Sequence, residues 1–170
     1  MGKRQVIDDL SYVHFVTFTC NKRRRLLDMD RPKQIVLGVL SQELGTRQGT
    51  CVGFVVMPDH VHALVWFPEA GRLSEFMQGW KRKSSHSIDR WYRETKIKVY
   101  ESVNDADSFW QKKYYSFEIY EEDKLREKLN YMHLNPVRAK LAERAVDWKW
   151  SSARWYECGK SVGVPLRWVY

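Results

Sequence analysis

Residues 51 to 67 constrain the fold more than any other stretch. Cys51 to Met57 is an unbroken apolar run with β-branched residues, Pro58-Asp59 is a turn dipeptide, and His60 to Phe67 is a second apolar run. Strands joined by so short a turn pair antiparallel, so a β-hairpin stands in the middle of the chain. A lone hairpin is marginal in water and needs further strands and a covering layer. Tyr12 to Cys20 supplies a strand: Val13, Phe15, Val16, Thr17, Phe18 and Thr19 lead into the basic run Lys22-Arg23-Arg24-Arg25. After Pro32, the positions Ile35, Val36, Val39, Leu40 and Leu44 recur at helical spacing, with Gly45 as a stop.

Beyond the hairpin, Leu73 to about Tyr92 reads as a second helix, with Phe76, Met77, Trp80, Ile88 and Trp91 on one stripe and Lys81, Arg82 and Lys83 off it. Phe109 to Tyr120 reads as a fourth strand. Glu121 to Asn135 reads as a third helix with acidic residues in its first turn and Pro136 ending it. The order β-α-β-β-α-β-α predicts an α+β, ferredoxin-like split βαβ core: a four-stranded antiparallel sheet, helices one and two on one face, and an added third helix. The 170 residues suit one domain spanning 1–170, with residues 141–170 as a basic and aromatic C-terminal tail.

Charge narrows the partner. Lys plus Arg number 29 against 21 Asp plus Glu, a net of +8, which points to a polyanion: nucleic acid first, an anionic membrane surface second. The longest clean apolar stretch, Val52 to Met57, is far shorter than the roughly 18 residues of a spanning helix. The first ten residues hold no apolar signal core, and Val6 stands where a myristoylation signal wants Ser or Thr, so the expected location is the cytoplasm, at the nucleoid when bound to DNA. Cys20, Cys51 and Cys158 form no Cys-x-x-Cys pair; they read as small apolar residues in a reducing compartment.

Two places can carry chemistry. His60 and His62 lie two apart on a strand, so both imidazoles share one face and Val61, Ala63 and Val65 the other. That is half of a metal site, or a pair of strand histidines satisfied by hydrogen bonds. Leu64 and Val65 break the His-x-His-x-Asp-His pattern of one hydrolase group, which argues against a zinc hydrolase. His14, His86 and His133 read as surface or packing residues. On the third helix, Leu125, Leu129 and Met132 form the apolar stripe while Tyr131 and Asn135, four apart, share a flank and His133 falls on the opposite one. A tyrosine one turn before a carboxamide can be a nucleophile beside a metal ligand or phosphate-orienting group, or a half-buried Tyr and a helix-ending Asn. Lys124 and Lys128, within two turns before Tyr131, either lower the pKa of its phenol or contact phosphate, or are solvated surface lysines.

Pro58-Asp59-His60-Val61-His62, Phe109-Trp110-Gln111, Tyr131-Met132-His133-Leu134-Asn135-Pro136-Val137-Arg138-Ala139 and Trp150-Ser151-Ser152 together resemble the REP-associated tyrosine transposases, of the His-hydrophobe-His class of single-strand DNA transposases. The resemblance runs from about Tyr12 to Tyr156. It implies that His60 and His62 are the metal-binding pair, Tyr131 the nucleophile and Asn135 the third ligand, with Mg²⁺ or Mn²⁺ as the ion. It also implies the ferredoxin-like fold and, as partner, single-stranded DNA carrying an imperfect palindromic hairpin. The implied activity is that of a metal-dependent nickase and strand transferase working through a 5′-phosphotyrosine; the alternative is a non-catalytic DNA or structured-RNA binding module. Ser116-Phe117 departs from the pattern, where an acidic residue followed by His is expected.

DNA contacts are expected from Lys22, Arg23, Arg24 and Arg25, from Lys81, Arg82 and Lys83, and from stacking of unpaired bases on Trp148, Trp150 or Trp155. Most of the eight tryptophans read as core. Whether the site is built within one chain or shared across a homodimer is left open by the sequence.

Overall fold

A computed structural model describes residues 11–97 and 107–170. The reading of the first ten residues therefore lies outside the described residues. The elements are β1 (Val13–Thr19), α1 (Asp30–Thr46), β2 (Thr50–Val56), β3 (His60–Trp66), α2 (Leu73–Thr95), β4 (Tyr115–Ile119), α3 (Glu122–His133), α4 (Asn135–Arg138) and α5 (Ala153–Cys158). The four strands form one antiparallel sheet in the order β2-β3-β1-β4, the expected split βαβ arrangement.

Period-two alternation sorts each strand between two cores. Val61, Ala63 and Val65 of β3, with Val16, Phe18, Phe54 and Val56, pack under α1 and α2 against Val36, Leu40, Phe76 and Trp80. Trp80 donates its indole N–H to the Val36 carbonyl at 2.9 Å and ties the two helices together. On the other face, Val13, Phe15, Val52, Val55 and Leu64 meet Leu125, Leu129 and Met132 of α3. Between α1 and α2 the Glu43 carboxylate, 1% exposed, is held by Lys83 and by Arg47 at 2.9 Å.

Three expectations are corrected. The fourth strand begins at Tyr115, not Phe109: Trp110 instead tucks under α2, donates its indole N–H to the Lys81 carbonyl at 3.0 Å and packs edge-on to Phe18, its backbone pairing only as an isolated bridge to Cys20. The third helix ends at His133 rather than Asn135. Pro136 does not stop the helical path, because it falls in the first turn of α4, where its missing N–H has no partner to lose.

Residues 141–170 fold back onto the sheet. The Val56 N–H donates to the Trp150 carbonyl at 2.8 Å, the Ser152 N–H to the Phe54 carbonyl at 2.9 Å, and Leu166 bridges Cys51. The tail thus pairs an edge of β2 that would otherwise offer bare backbone groups. Cys20 and Cys51 are buried, Cys158 is exposed, and all three are free thiols. Among the described residues no helix is long and apolar enough to cross a membrane.

Candidate active site

β3 presents His60 and His62 on the α3 side of the sheet, opposite Thr19 and Thr17 of β1. Their ring centroids are 4.8 Å apart, and the His62 ring stacks on Phe15 at 5.4 Å. Each Nδ1 is engaged: that of His60 with the Asp59 carboxylate and that of His62 with the Thr17 hydroxyl, both at 2.6 Å. Partners on Nδ1 fix the ring orientation and leave each Nε2 for a ligand, the arrangement that holds metal-binding imidazoles in place. His62 is 7% exposed. Burial pushes its pKa down to about 3, with His60 and Arg138 adding to the effect and Asp59 opposing it. It is therefore neutral at physiological pH, with the lone pair that coordination requires.

α3 brings Tyr131 to this pair. Its ring lies 6.2 Å from that of His62, and the residue is 46% exposed. The Arg138 guanidinium sits 4.5 Å from the Tyr131 ring centroid and donates to the Tyr131 carbonyl; the Lys128 ammonium sits 5.4 Å from the same ring. Asn135 opens α4, half-buried and one turn after Tyr131. Among the described residues no group of three or more His, Cys, Asp and Glu could hold a metal ion. Asn135, one turn after Tyr131, offers an amide oxygen that could serve beside the pair. Two imidazoles held through Nδ1, with Nε2 of each turned away from these partners, fit a divalent ion that also takes up phosphate.

α3 is seated on the β2 of its own chain by a small polar lock. The His133 Nε2 lies 2.7 Å from the Ser152 hydroxyl, which also accepts the Phe54 N–H at 2.9 Å. Gly53, beside a bulge in β2, provides the clearance: a Cβ there would come within 2.5 Å of Leu129 and 3.0 Å of Met132. Burial pushes the His133 pKa down to about 4, so the lock is made with neutral imidazole. His60, His62 and Tyr131 thus converge within a single chain.

Residues 8–135 match the family model described as "Transposase IS200 like". The chain belongs to the IS200-like transposase family. A Haemophilus influenzae protein named as a REP-associated tyrosine transposase is 25% identical over 135 residues, covering 72% of this chain and 73% of that protein. The structure of a REP-associated tyrosine transposase bound to a REP hairpin superposes with a TM-score of 0.73 at 20% identity, over 98% of this chain and 93% of the other. A Deinococcus radiodurans transposase structure gives 0.53 at 16% identity, over 77% of this chain and 95% of the other. At these identities the two structures speak to the fold.

In this IS200-like transposase, the basic runs are more engaged than their sequence suggests. Lys22 pairs with Asp107 at 2.9 Å, Arg23 with Asp59 at 3.3 Å and Arg25 with Asp28 at 2.8 Å, while Arg24 donates to the Ser108 carbonyl at 3.0 Å. Lys81 donates to the Gln111 and Lys112 carbonyls, and Lys83 turns to Glu43, which leaves Arg82 as the solvent-facing cation of its run. Arg82 and Lys112 border a groove of about 380 Å³ shared with Phe109 and Tyr114. Trp148 donates its indole N–H to the Val56 carbonyl at 3.0 Å, Trp150 lies beside Lys149 at 4.9 Å, and Trp155 packs edge-on to Tyr156 at 4.7 Å; all three are half-buried. Thr17 and Arg138 are the site residues that sequence reasoning missed. Thr17 was readable in retrospect from strand pairing, and Arg138 lies in the Tyr131 motif, two helical turns on.

Proposed function

We propose that this transposase is a metal-dependent single-strand DNA nickase and strand transferase that acts on hairpin DNA through a 5′-phosphotyrosyl intermediate on Tyr131. The observation that carries this reading is the placement of Tyr131 beside two histidines whose Nδ1 atoms are already held. His60, His62 and Asn135 are the residues to hold Mg²⁺ or Mn²⁺, which when bound polarises a non-bridging oxygen of the scissile phosphate. The Tyr131 phenol oxygen forms a bond to phosphorus, the bond to the 3′-oxygen breaks, and the strand leaves with a free 3′-hydroxyl. The proton lost by the phenol and the one gained by the 3′-oxygen balance through solvent, which Tyr131 reaches. One phosphodiester is exchanged for another, so a 3′-hydroxyl of a second strand reverses the step and joins strands without a nucleoside triphosphate. Thr17 and Asp59 keep the imidazoles aimed throughout. The hairpin partner follows from the REP hairpin bound by the structural relative and from the net charge of +8.

The test is a denaturing gel of purified protein with labelled single-stranded hairpins from the DNA flanking its own gene, with and without Mg²⁺ or Mn²⁺. A metal-dependent covalent band is expected, absent from Tyr131→Phe and weakened by at least about a hundredfold in His62→Ala. Hairpins that bind in a native gel without forming a band under either metal would make the chain a binding module instead.

A further inference from the structure

Lys128 and Arg138 stand out among the cations around α3. On the same helix Lys124 pairs with Glu127 at 2.9 Å and Arg126 with Glu122 at 2.6 Å, the usual neighbour pairs of a solvated face. Lys128 and Arg138 make no ion pair among the described residues. Both are laid against the ring of Tyr131, one three residues before it and the other seven after. The Lys128 ammonium also lies 5.1 Å from the Phe117 ring and 6.0 Å from that of Phe15, so three aromatic rings surround the charge of this half-buried residue. Cation–π contacts of this kind are attractive yet leave the charge uncompensated. Two cations that make no ion pair among the described residues are thereby fixed at the edge of the His60–His62 pair, where the nearby carboxylate, Asp59, is already shared by His60 and Arg23.

We propose that Lys128 and Arg138 are catalytic residues that together bind the non-bridging oxygens of the phosphodiester attacked by Tyr131. The inference rests on the reading of Tyr131 as nucleophile and adds the protein's own anion site to it. A phosphate in line with the phenol oxygen lies within a side-chain swing of both cations. Arg138 spends one N–H on the Tyr131 carbonyl, which anchors the guanidinium and leaves the rest of its planar fork for two oxygens; Lys128 supplies a point charge. Negative charge builds on these oxygens as the phenol attacks, so cations already in place stabilise the transition state more than the bound strand.

The experiment measures the single-turnover rate of covalent adduct formation at saturating hairpin, beside the hairpin Kd. Arg138→Ala is expected to slow the step by roughly a hundredfold or more and Lys128→Met by about tenfold, with Kd changed by less than about threefold. Lys124→Met, which removes a lysine paired to Glu127, keeps the wild-type rate. Two further readouts separate phosphate binding from a structural role. Added guanidinium restores part of the rate to Arg138→Ala, and a methylphosphonate at the scissile position slows the wild type far more than it slows Arg138→Ala. Wild-type rates at saturating hairpin in both variants, whether or not Kd rises, would overturn the assignment, as would an Arg138→Ala defect insensitive to both guanidinium and the methylphosphonate. A wild-type protein that forms no adduct with either metal removes the functional reading itself, and the phosphate pair with it.

Discussion

The two faces of the sheet are built from the same strands and do different work. Under α1 and α2 the face is closed by two long helices, and its one buried carboxylate, Glu43, is neutralised by Lys83 and Arg47. On the other face the cover is one short helix, α3, with residues of the C-terminal tail such as Trp148, Tyr156 and Trp168 beside it, and its buried titratable groups are neutral histidines: His62, near Tyr131, and His133, locked to Ser152. β3 writes both surfaces at once, Val61, Ala63 and Val65 into the scaffold and His60 and His62 into the site. The difference shows how one strand can be both support and site, since alternation keeps the two sets of side chains from competing for the same space.

Acid should separate the faces most. An unfolded histidine titrates near 6.5, whereas in the folded chain His62 is pushed down to about 3 and His133 to about 4. Between those values the unfolded chain takes up protons that the native one refuses. Stability is therefore complete above about pH 6.5 and falls as pH drops toward 4, by about 2 kcal/mol for each histidine at pH 5. Urea unfolding of metal-free protein at pH 7 and pH 5 checks this, with His133→Asn losing markedly less than wild type. Equal losses in the two proteins would mean that His133 is not one of the groups through which acid acts.

Gly79 tests the other face. A Cβ there would lie 2.0 Å from the Glu43 Oε2 atom, and the carboxylate cannot move without leaving Lys83 and Arg47. Disturbing a buried pair outweighs the roughly 1 kcal/mol that Ala gains over Gly in a helix, so Gly79→Ala should lose about 2 kcal/mol net, a fall in Tm of roughly 4 to 8 °C. Adduct formation per folded molecule should stay within about twofold, because nothing on the α3 side is touched. An unchanged Tm would show that α1 and α2 are not held apart by this contact.

Strand order, the central hairpin and the shared face of His60 and His62 were legible because period two is a short-range signal. The start of β4 was not: Phe109 to Tyr120 is equally aromatic whether it lies in a ladder or tucks Trp110 under α2. Charge runs mislead for a related reason. The residues that turn Lys81 and Lys83 inward, Gln111 and Glu43, are thirty and forty positions away and invisible to a local reading. Tyr131 and its neighbourhood were half legible. Helical spacing placed Tyr131 on a flank of α3, but the break at Leu134 decides where residues beyond it point, so Arg138 could not be assigned.

Gly53 gives the smallest and sharpest comparison, because it stands at the tightest point of the α3 face as Gly79 does on the other. The atoms a Cβ would meet are the ends of flexible side chains, Leu129 Cδ1 at 2.5 Å, Met132 Cε at 3.0 Å and Ser152 Oγ at 3.2 Å. They can yield by small rotations, so Gly53→Ala should lose only about 1 kcal/mol of stability. Yet Leu129 and Met132 flank Tyr131 on α3, and a shift of the helix by a fraction of an ångström moves the phenol against His62. In-line attack tolerates such misplacement poorly, and the adduct rate should fall by about tenfold with hairpin affinity unchanged. Gly79→Ala would then lose more stability and keep chemistry, while Gly53→Ala loses less stability and more chemistry. If Gly53→Ala reacts at the wild-type rate, the seating of α3 on β2 does not set the aim of Tyr131, and the two faces differ in composition alone.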